Sequence, residues 1–179
     1  MTRVTAILFT LLLALSGCTT IPTDGSYDGS AHGRITAFDT GPIRLRHLDS
    51  VNALRTERGM QPLEMSAQLI AAAATHARDM AAQERAWDFG SDGSSPQARA
   101  VRAGYPGVVR GENVAETFKG EFFVLQAWLG DTASRAVMLD AQASHIGFAW
   151  FQEPNGKLWW VQVIGQIIAP VPLLTAQLQ

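Results

Sequence analysis

The chain has 179 residues, of which 47% are hydrophobic and 17% are charged, and its formal net charge is -2. This length and apolar content allow one domain with a buried core and short additional segments. The 14 Lys and Arg residues are scattered rather than grouped in a basic patch, which excludes nucleic acid as the expected partner.

The first 18 residues predict export and lipid attachment. After Arg3, residues 4–15 form an apolar run that is shorter than the about 20 residues needed to span a bilayer, as in a signal peptide. The following Leu15-Ser16-Gly17-Cys18 resembles the lipobox of bacterial lipoproteins, whose cysteine is acylated. We therefore predict a signal peptide over residues 1–17 and a lipid anchor, palmitate among its acyl chains, on Cys18. The alternative is an ordinary secretory signal with an incidental cysteine.

The predicted anchor places the protein in the cell envelope. Cys18 is the single cysteine, so no disulfide can form within the chain, and several acyl chains on one residue give stable membrane attachment. Thr19 follows it, which resembles the outer-membrane sorting default of Gram-negative lipoproteins. Residues 18–41 are rich in Gly, Ser and Thr and predict a flexible tether. A folded domain over residues 42–168 and a tail over residues 169–179 complete the predicted organisation.

Helices are predicted in the first part of this domain. Gly41-Pro42 is typical of a helix start, and Gly59 of the end of that helix. Ser66 is a predicted N-cap for a second helix, with His76 on its apolar stripe as a core residue rather than a ligand. Ser95-Pro96 predicts a third helix that ends at Gly104. A fourth helix is predicted over residues 119–129.

Strands are predicted in the last part. Residues 105–116 have a mixed pattern and are expected to be partly extended, whereas residues 145–151 and 158–164 alternate as strands do. Pro154-Asn155-Gly156 lies between the latter two and favours a turn, so an antiparallel hairpin is expected. Helices that precede strands, without regular alternation, indicate an α+β fold.

A series of short motifs runs from about Leu45 to Gly165. In chain order they are Val51-Asn52, Arg55, Gly59, Pro62-Leu63, Ala77 to Ala81, Gly90 to Pro96, Arg99, Gly104-Tyr105, Gly111 to Ala115, Trp128, Arg135, Ile146-Gly147 and Trp160 to Gln162. Their order and spacing resemble those of the bacterial CAP domains, also called SCP-like domains. The resemblance implies an α-β-α sandwich with a small antiparallel sheet.

The same resemblance identifies the candidate site residues. CAP domains usually carry two histidines and one or two carboxylates in a central cleft, and several bind a divalent metal there. This chain has Asp88, Glu112, Asp131 and Ser134 at the matching positions. If the three carboxylates converge, their oxygens favour calcium or magnesium over zinc. Alternatively, Asp88 and Asp131 point to solvent and Glu112 only holds its loop; His145 is expected to be structural.

Three functions fit this pattern. The loss of both cleft histidines favours a non-catalytic module that binds a lipid or an envelope protein, with no organic cofactor. The alternative is an enzyme, either a hydrolase or one assisted by calcium or magnesium, that uses Glu112 with Asp88 or Asp131. Lipid or sterol carriage is known for some CAP domains, and Trp87 and Phe89 could line an apolar groove for it.

Overall fold

The computed structural model describes residues 33–168. The predicted signal peptide, Cys18, most of the predicted tether and the tail over residues 169–179 lie outside the described residues. The described elements are, in order, α1 (Ala37–Glu57), β1 (Glu64–Met65), α2 (Ala67–Gln83), α3 (Pro96–Arg102), β2 (Gly107–Glu116), α4 (Glu121–Gly130), α5 (Thr132–Met138), β3 (His145–Gln152) and β4 (Leu158–Ile167).

The strands form one sheet in the order β1-β3-β4-β2. The β3–β4 pair is the predicted antiparallel hairpin, in register from His145 opposite Gly165 to Gln152 opposite Leu158. Strand β2 pairs antiparallel with the other side of β4, and the two-residue β1 pairs parallel with β3. Because β4 is central, its side chains are buried on both faces.

Helices cover both faces of the sheet. Alternate residues of β4 point to opposite sides, so Trp160 and Ile164 pack in a core cluster with α1, α4 and α5, whereas Trp159 and Val163 pack with α2 and α3. Inside the first cluster, His47 of α1 is buried, with its Nε2 2.7 Å from Gln162 Oε1 of β4. The predicted α+β class and α-β-α sandwich are confirmed.

The first helix begins earlier than predicted. Its N-cap is Thr36, whose backbone N–H and hydroxyl both donate to the Asp39 carboxylate, at 2.8 Å and 2.6 Å. Pro42 is the sixth residue of the helix rather than its first, and because proline has no N–H it cannot donate to the Phe38 carbonyl one turn earlier. Just before the helix, the Ile35 N–H donates to Gln152 Oε1 at 2.9 Å. Residues 34–41, which we assigned to the tether, are therefore part of the folded domain.

The remaining helices follow the predicted signals, with one addition. Ser66 and Ser95 are the N-caps of α2 and α3, as expected, and α4 begins at Glu121, two residues later than predicted. Helix α5 was not predicted; the Asp131 side chain caps it and separates it from α4. Among the described residues, no helix has the length and apolar character needed to cross a bilayer.

Candidate functional site

The candidate site is centred on Glu112, in the middle of β2. A bulge between Val109 and Gly111 precedes it, and Glu112 then lies opposite Val163 of β4. Its side chain points to the face covered by α2 and α3 and is only 2% exposed. The next residue, Asn113, points to the other face, where its Nδ2 donates to the Ser134 carbonyl of α5 at 3.0 Å.

Arg99 of α3 binds the Glu112 carboxylate. Its Nη2 lies 2.6 Å from Glu112 Oε1, and the arginine side chain is itself only 4% exposed. The same guanidinium donates to two backbone carbonyls, those of Ser94 at 2.7 Å and Asp88 at 3.0 Å. Arg99 therefore ties the loop before α3 to strand β2, and uses Glu112 as one of its three acceptors.

His76 of α2 completes this buried group, which we call the Glu112 cluster: His76, Arg99 and Glu112. The imidazole is fully buried, and its Nε2 donates to the Trp87 carbonyl at 2.8 Å while lying 3.6 Å from Glu112 Oε1. Burial lowers the pKa of His76, and the charge of Arg99 lowers it further. The prediction that His76 is a core residue fits this burial, but its contact with Glu112 was not foreseen.

Burial dominates the electrostatics of Glu112. It raises the pKa of Glu112 to about 8, and the nearby Asp88 carboxylate adds to the rise, while the Arg99 guanidinium acts in the opposite direction. Glu112 Oε2 is buried and has no hydrogen-bond partner among residues 33–168. A carboxyl group with one unpaired buried oxygen is a group that gains from binding a proton.

The other predicted site residues do not join this cluster. The Asp131 side chain is committed to capping α5, where its Oδ1 accepts from the Ser134 N–H at 2.7 Å. Asp131 and Ser134 belong to the α5 side of β2, whereas Glu112 faces α2 and α3. Asp88 is exposed, and its carbonyl rather than its carboxylate binds Arg99.

The convergence of Asp88, Glu112 and Asp131, one of the two arrangements considered from the sequence, is therefore not observed among the described residues. Among residues 33–168, no group of three or more His, Cys, Asp or Glu side chains is placed to share a metal ion. Asp131 caps α5 on the face of β2 opposite to Glu112, because neighbouring β2 side chains point to opposite faces of the sheet, and Asp88 is exposed. His145 lies at the start of β3, where its Nδ1 is 2.7 Å from the Ser144 hydroxyl.

Aromatic side chains near the site are partly covered. The Trp87 indole N–H donates to Gln83 Oε1 at 3.0 Å, and the Arg85 guanidinium lies 4.2 Å above its ring. Phe89 packs edge-on against Trp87 and stays half exposed. An apolar groove of about 530 Å³ lies elsewhere, beside α4. Its lining residues are Thr117, Phe118, Lys119, Phe123, Gln126 and Ala127.

Sequence reasoning identified Glu112 but missed the partners that hold it. The signals were present in the helix patterns. Arg99 falls next to the buried Ala100 on the inner side of α3, and His76 lies on the apolar stripe of α2. A buried charge such as that of Arg99 needs a partner of opposite charge, and Glu112 supplies it. The sequence alone does not show that α2 and α3 pack on the same face of β2.

Residues 48–164 match the model of the family described as the cysteine-rich secretory protein family, or CAP. The chain belongs to this family. A curated relative, the uncharacterized protein YkwD of Bacillus subtilis (strain 168), is 26% identical over 137 residues, which are 76% of this chain and 51% of the relative. The chain thus spans about half the length of that relative.

Solved structures share the fold at low identity. An outer surface protein from Borrelia burgdorferi superposes with a TM-score of 0.66 and 16% identity, over 75% of this chain and 97% of that one. An extracellular protein containing a SCP domain from Bacillus anthracis gives a TM-score of 0.65 and 19% identity, over 74% of this chain and 44% of that one. The first is described as an outer surface protein and the second as an extracellular protein, and at these identities the likeness shows a shared fold.

Proposed function

We propose that the protein is a lipid-anchored CAP-domain protein of the bacterial cell envelope that binds a lipid or an envelope protein without catalysing a reaction. The observation that carries this proposal is the state of Glu112. Its side chain is 2% exposed, and its carboxylate accepts a 2.6 Å hydrogen bond from Arg99. Glu112, the main catalytic candidate that the family resemblance implies, thus stabilises the fold through its ion pair with Arg99.

Access is the physical argument against catalysis by Glu112. A general base must come within hydrogen-bond reach of the proton that it removes, directly or through one water. A side chain covered by α2, α3 and the loop before α3 cannot meet a substrate unless these elements move. Asp131 and Ser134 are separated from it by β2, and the Asp131 carboxylate is occupied as a helix cap.

Replacement of Glu112 by Gln tests this proposal. Glutamine keeps an oxygen that can accept from Arg99 but cannot act as a base. A folded E112Q protein should therefore complement a deletion strain as well as the wild-type protein does. The matched control is Glu64→Gln in β1, because Glu64 is an exposed glutamate away from the cluster. Loss of function in a folded E112Q protein with normal abundance would contradict the proposal.

The lipid anchor requires its own test. Wild-type protein should incorporate labelled palmitate and sediment with membranes, whereas Cys18→Ser should do neither. Thr19→Ser, which leaves the lipobox cysteine in place, is the control. Release of the wild-type protein as an unacylated soluble chain would show an ordinary secretory signal instead.

One observation favours an enzyme as the second candidate. A carboxyl group whose pKa is raised to about 8 beside an imidazole is a common property of catalytic sites. In that case the loop before α3 opens, Glu112 acts as a general base or binds calcium or magnesium with Asp88, and E112Q abolishes turnover. An activity that a chelator or E112Q removes would replace the first proposal with this one.

A further inference from the structure

Three phenylalanines lie exposed at one end of the molecule. Phe38 is 92% exposed, Phe122 60% and Phe123 43%. Single exposed apolar residues are common on soluble proteins, but grouped aromatic residues mark an interaction surface. Phe123 also lines the apolar groove beside α4. We call this surface the phenylalanine end, defined by Phe38, Phe122 and Phe123.

Hydrogen bonds place these residues at the same end of the sheet. Ile35, just before α1, donates to Gln152 at the end of β3, and Gln152 lies opposite Leu158. The Leu158 carbonyl in turn accepts from the Thr117 N–H at 2.9 Å, immediately before the segment that leads to α4. Gln152 and Thr117 are thus two strand spacings apart, about 10 Å.

The start of α4 contacts the third turn of α1, about 12 Å along the helix from Phe38. Arg46 of α1 and Glu121, the first residue of α4, form an ion pair at 2.6 Å. Phe122 and Phe123 follow Glu121 in the first turn of α4, and Phe38 lies in the first turn of α1. The first turns of both helices therefore carry the exposed rings.

The chain enters the domain at this same end. Gly33, the first described residue, follows Cys18 by 15 positions. Fifteen residues span at most about 50 Å even when fully extended, so Gly33 cannot lie further than this from Cys18. An anchor on Cys18 would therefore hold the phenylalanine end close to the membrane, and at a high effective concentration there.

We propose that the phenylalanine end docks on the lipid bilayer that carries the anchor. The rings of Phe38, Phe122 and Phe123 enter the boundary between head groups and acyl chains, as apolar faces of interfacial helices do. Lys119, beside the groove, extends its ammonium group to the head groups while its methylene stem lies along the apolar surface. The domain then has a fixed orientation, with the α1–α4 end on the membrane.

This inference rests on the proposed anchor, but it can be tested without cellular acylation. The mature chain, residues 18–179, contains one cysteine, which can be coupled to maleimide-bearing lipid in phosphatidylcholine vesicles. Hydrogen–deuterium exchange is then compared between coupled and free chains. We expect exchange over residues 34–42 and 117–125 to slow by about threefold or more on vesicles, with little change elsewhere.

Variants make the test specific. The triple variant Phe38→Ser, Phe122→Ser and Phe123→Ser should lose the slowed exchange, and because all three rings are exposed it should keep the fold, which circular dichroism checks. Phe89→Ser is the matched control, since Phe89 is a half-exposed ring in the α2–α3 layer; it should keep the protection. Equal exchange in free and coupled wild-type chains overturns the docking, and so does protection confined to the Phe89 loop. Acylation of Cys18 is measured separately, so neither result bears on the anchor.

Discussion

At the scale of single residues, Arg99 is the side chain on which the Glu112 cluster depends. It supplies the only hydrogen bond to Glu112 Oε1 within 3.0 Å among the described residues and fixes the carbonyls of Ser94 and Asp88. Replacement of Arg99 by Met leaves a buried carboxyl group without its cation. We expect the free energy of unfolding at pH 8 to fall by about 3 to 5 kcal/mol, measured by urea denaturation.

The pH dependence of this variant has a definite sign. The pKa of Glu112 is raised in the folded protein, so folding favours its protonated form, and stability is lost as pH rises from the unfolded value of 4.5 through the folded value. Without Arg99, the free energy of unfolding falls more steeply with rising pH. The destabilisation caused by Arg99→Met should therefore be larger at pH 8 than at pH 5. Arg102→Met, which breaks an exposed pair with Asp92, is the control and should change stability little. Equal effects of the two variants would contradict the role of Arg99.

His47 gives a second pH-dependent prediction, on the other face of the sheet. Burial lowers its pKa to about 4, with the hydrogen bond to Gln162 acting in the opposite direction. Its contribution to stability is present above pH 6.5 and is lost as pH falls toward 4, because the unfolded chain binds a proton first. Relative to His47→Gln, which does not titrate, the wild type should lose about 3 kcal/mol between pH 7 and pH 4. A difference that stays constant with pH would show that His47 is not buried in its neutral form.

At the scale of elements, the contact between α2 and β3 depends on Gly147. A Cβ at this position would lie 2.2 Å from the Leu69 carbonyl carbon and 2.5 Å from the Ile70 nitrogen. Because both contacts are backbone atoms, Gly147→Ala must push the helix away from the strand. We expect a loss of about 3 kcal/mol or more in the free energy of unfolding.

Gly130 is the matched control for this prediction. It is the last residue of α4, and a Cβ there meets nothing within 4 Å. Gly130→Ala should therefore leave stability unchanged or raise it by up to about 1 kcal/mol. Similar losses from the two substitutions would contradict the close packing of α2 on β3.

The start of α1 gives a further prediction at this scale. Residues 34–41 contribute the Thr36–Asp39 cap, the first turn of the helix and the contacts of Ile35 with Gln152. A chain that begins at Pro42 should melt about 5 °C or more below one that begins at Gly33, as followed by circular dichroism. Equal melting temperatures would restore the tether boundary at residue 41 that the sequence suggested.

Most elements could be predicted because local signals specify them. The serine N-caps, the strand alternation and the Pro154-Asn155-Gly156 turn each act within a few residues. The predicted start of α1 was wrong because Gly41-Pro42 is typical of a helix start, whereas the helix is capped five residues earlier by Thr36 and Asp39. Helix α5 was missed because seven residues carry too little periodicity to be recognised.

At the scale of the whole molecule, the family and the fold were predictable, but the site was predictable only in part. The order of the motifs identified a CAP domain, which the family match over residues 48–164 shows. Position-by-position transfer could find Glu112 but not its surroundings. Whether Asp131 and Ser134 reach Glu112 depends on which face of β2 each side chain takes, and this is a property of the assembled sheet.

The most direct test of the proposal that the Glu112 cluster is closed and non-catalytic is calorimetric titration of residues 18–179 with calcium, magnesium and zinc. The Arg99 guanidinium occupies the carboxylate, and the described residues hold no group of three metal-binding side chains. We therefore predict no saturable heat with any of the three ions, in the wild type or in Glu112→Gln. Saturable binding by the wild type that disappears in a folded Glu112→Gln variant would contradict this account and identify the cluster as a chemical site.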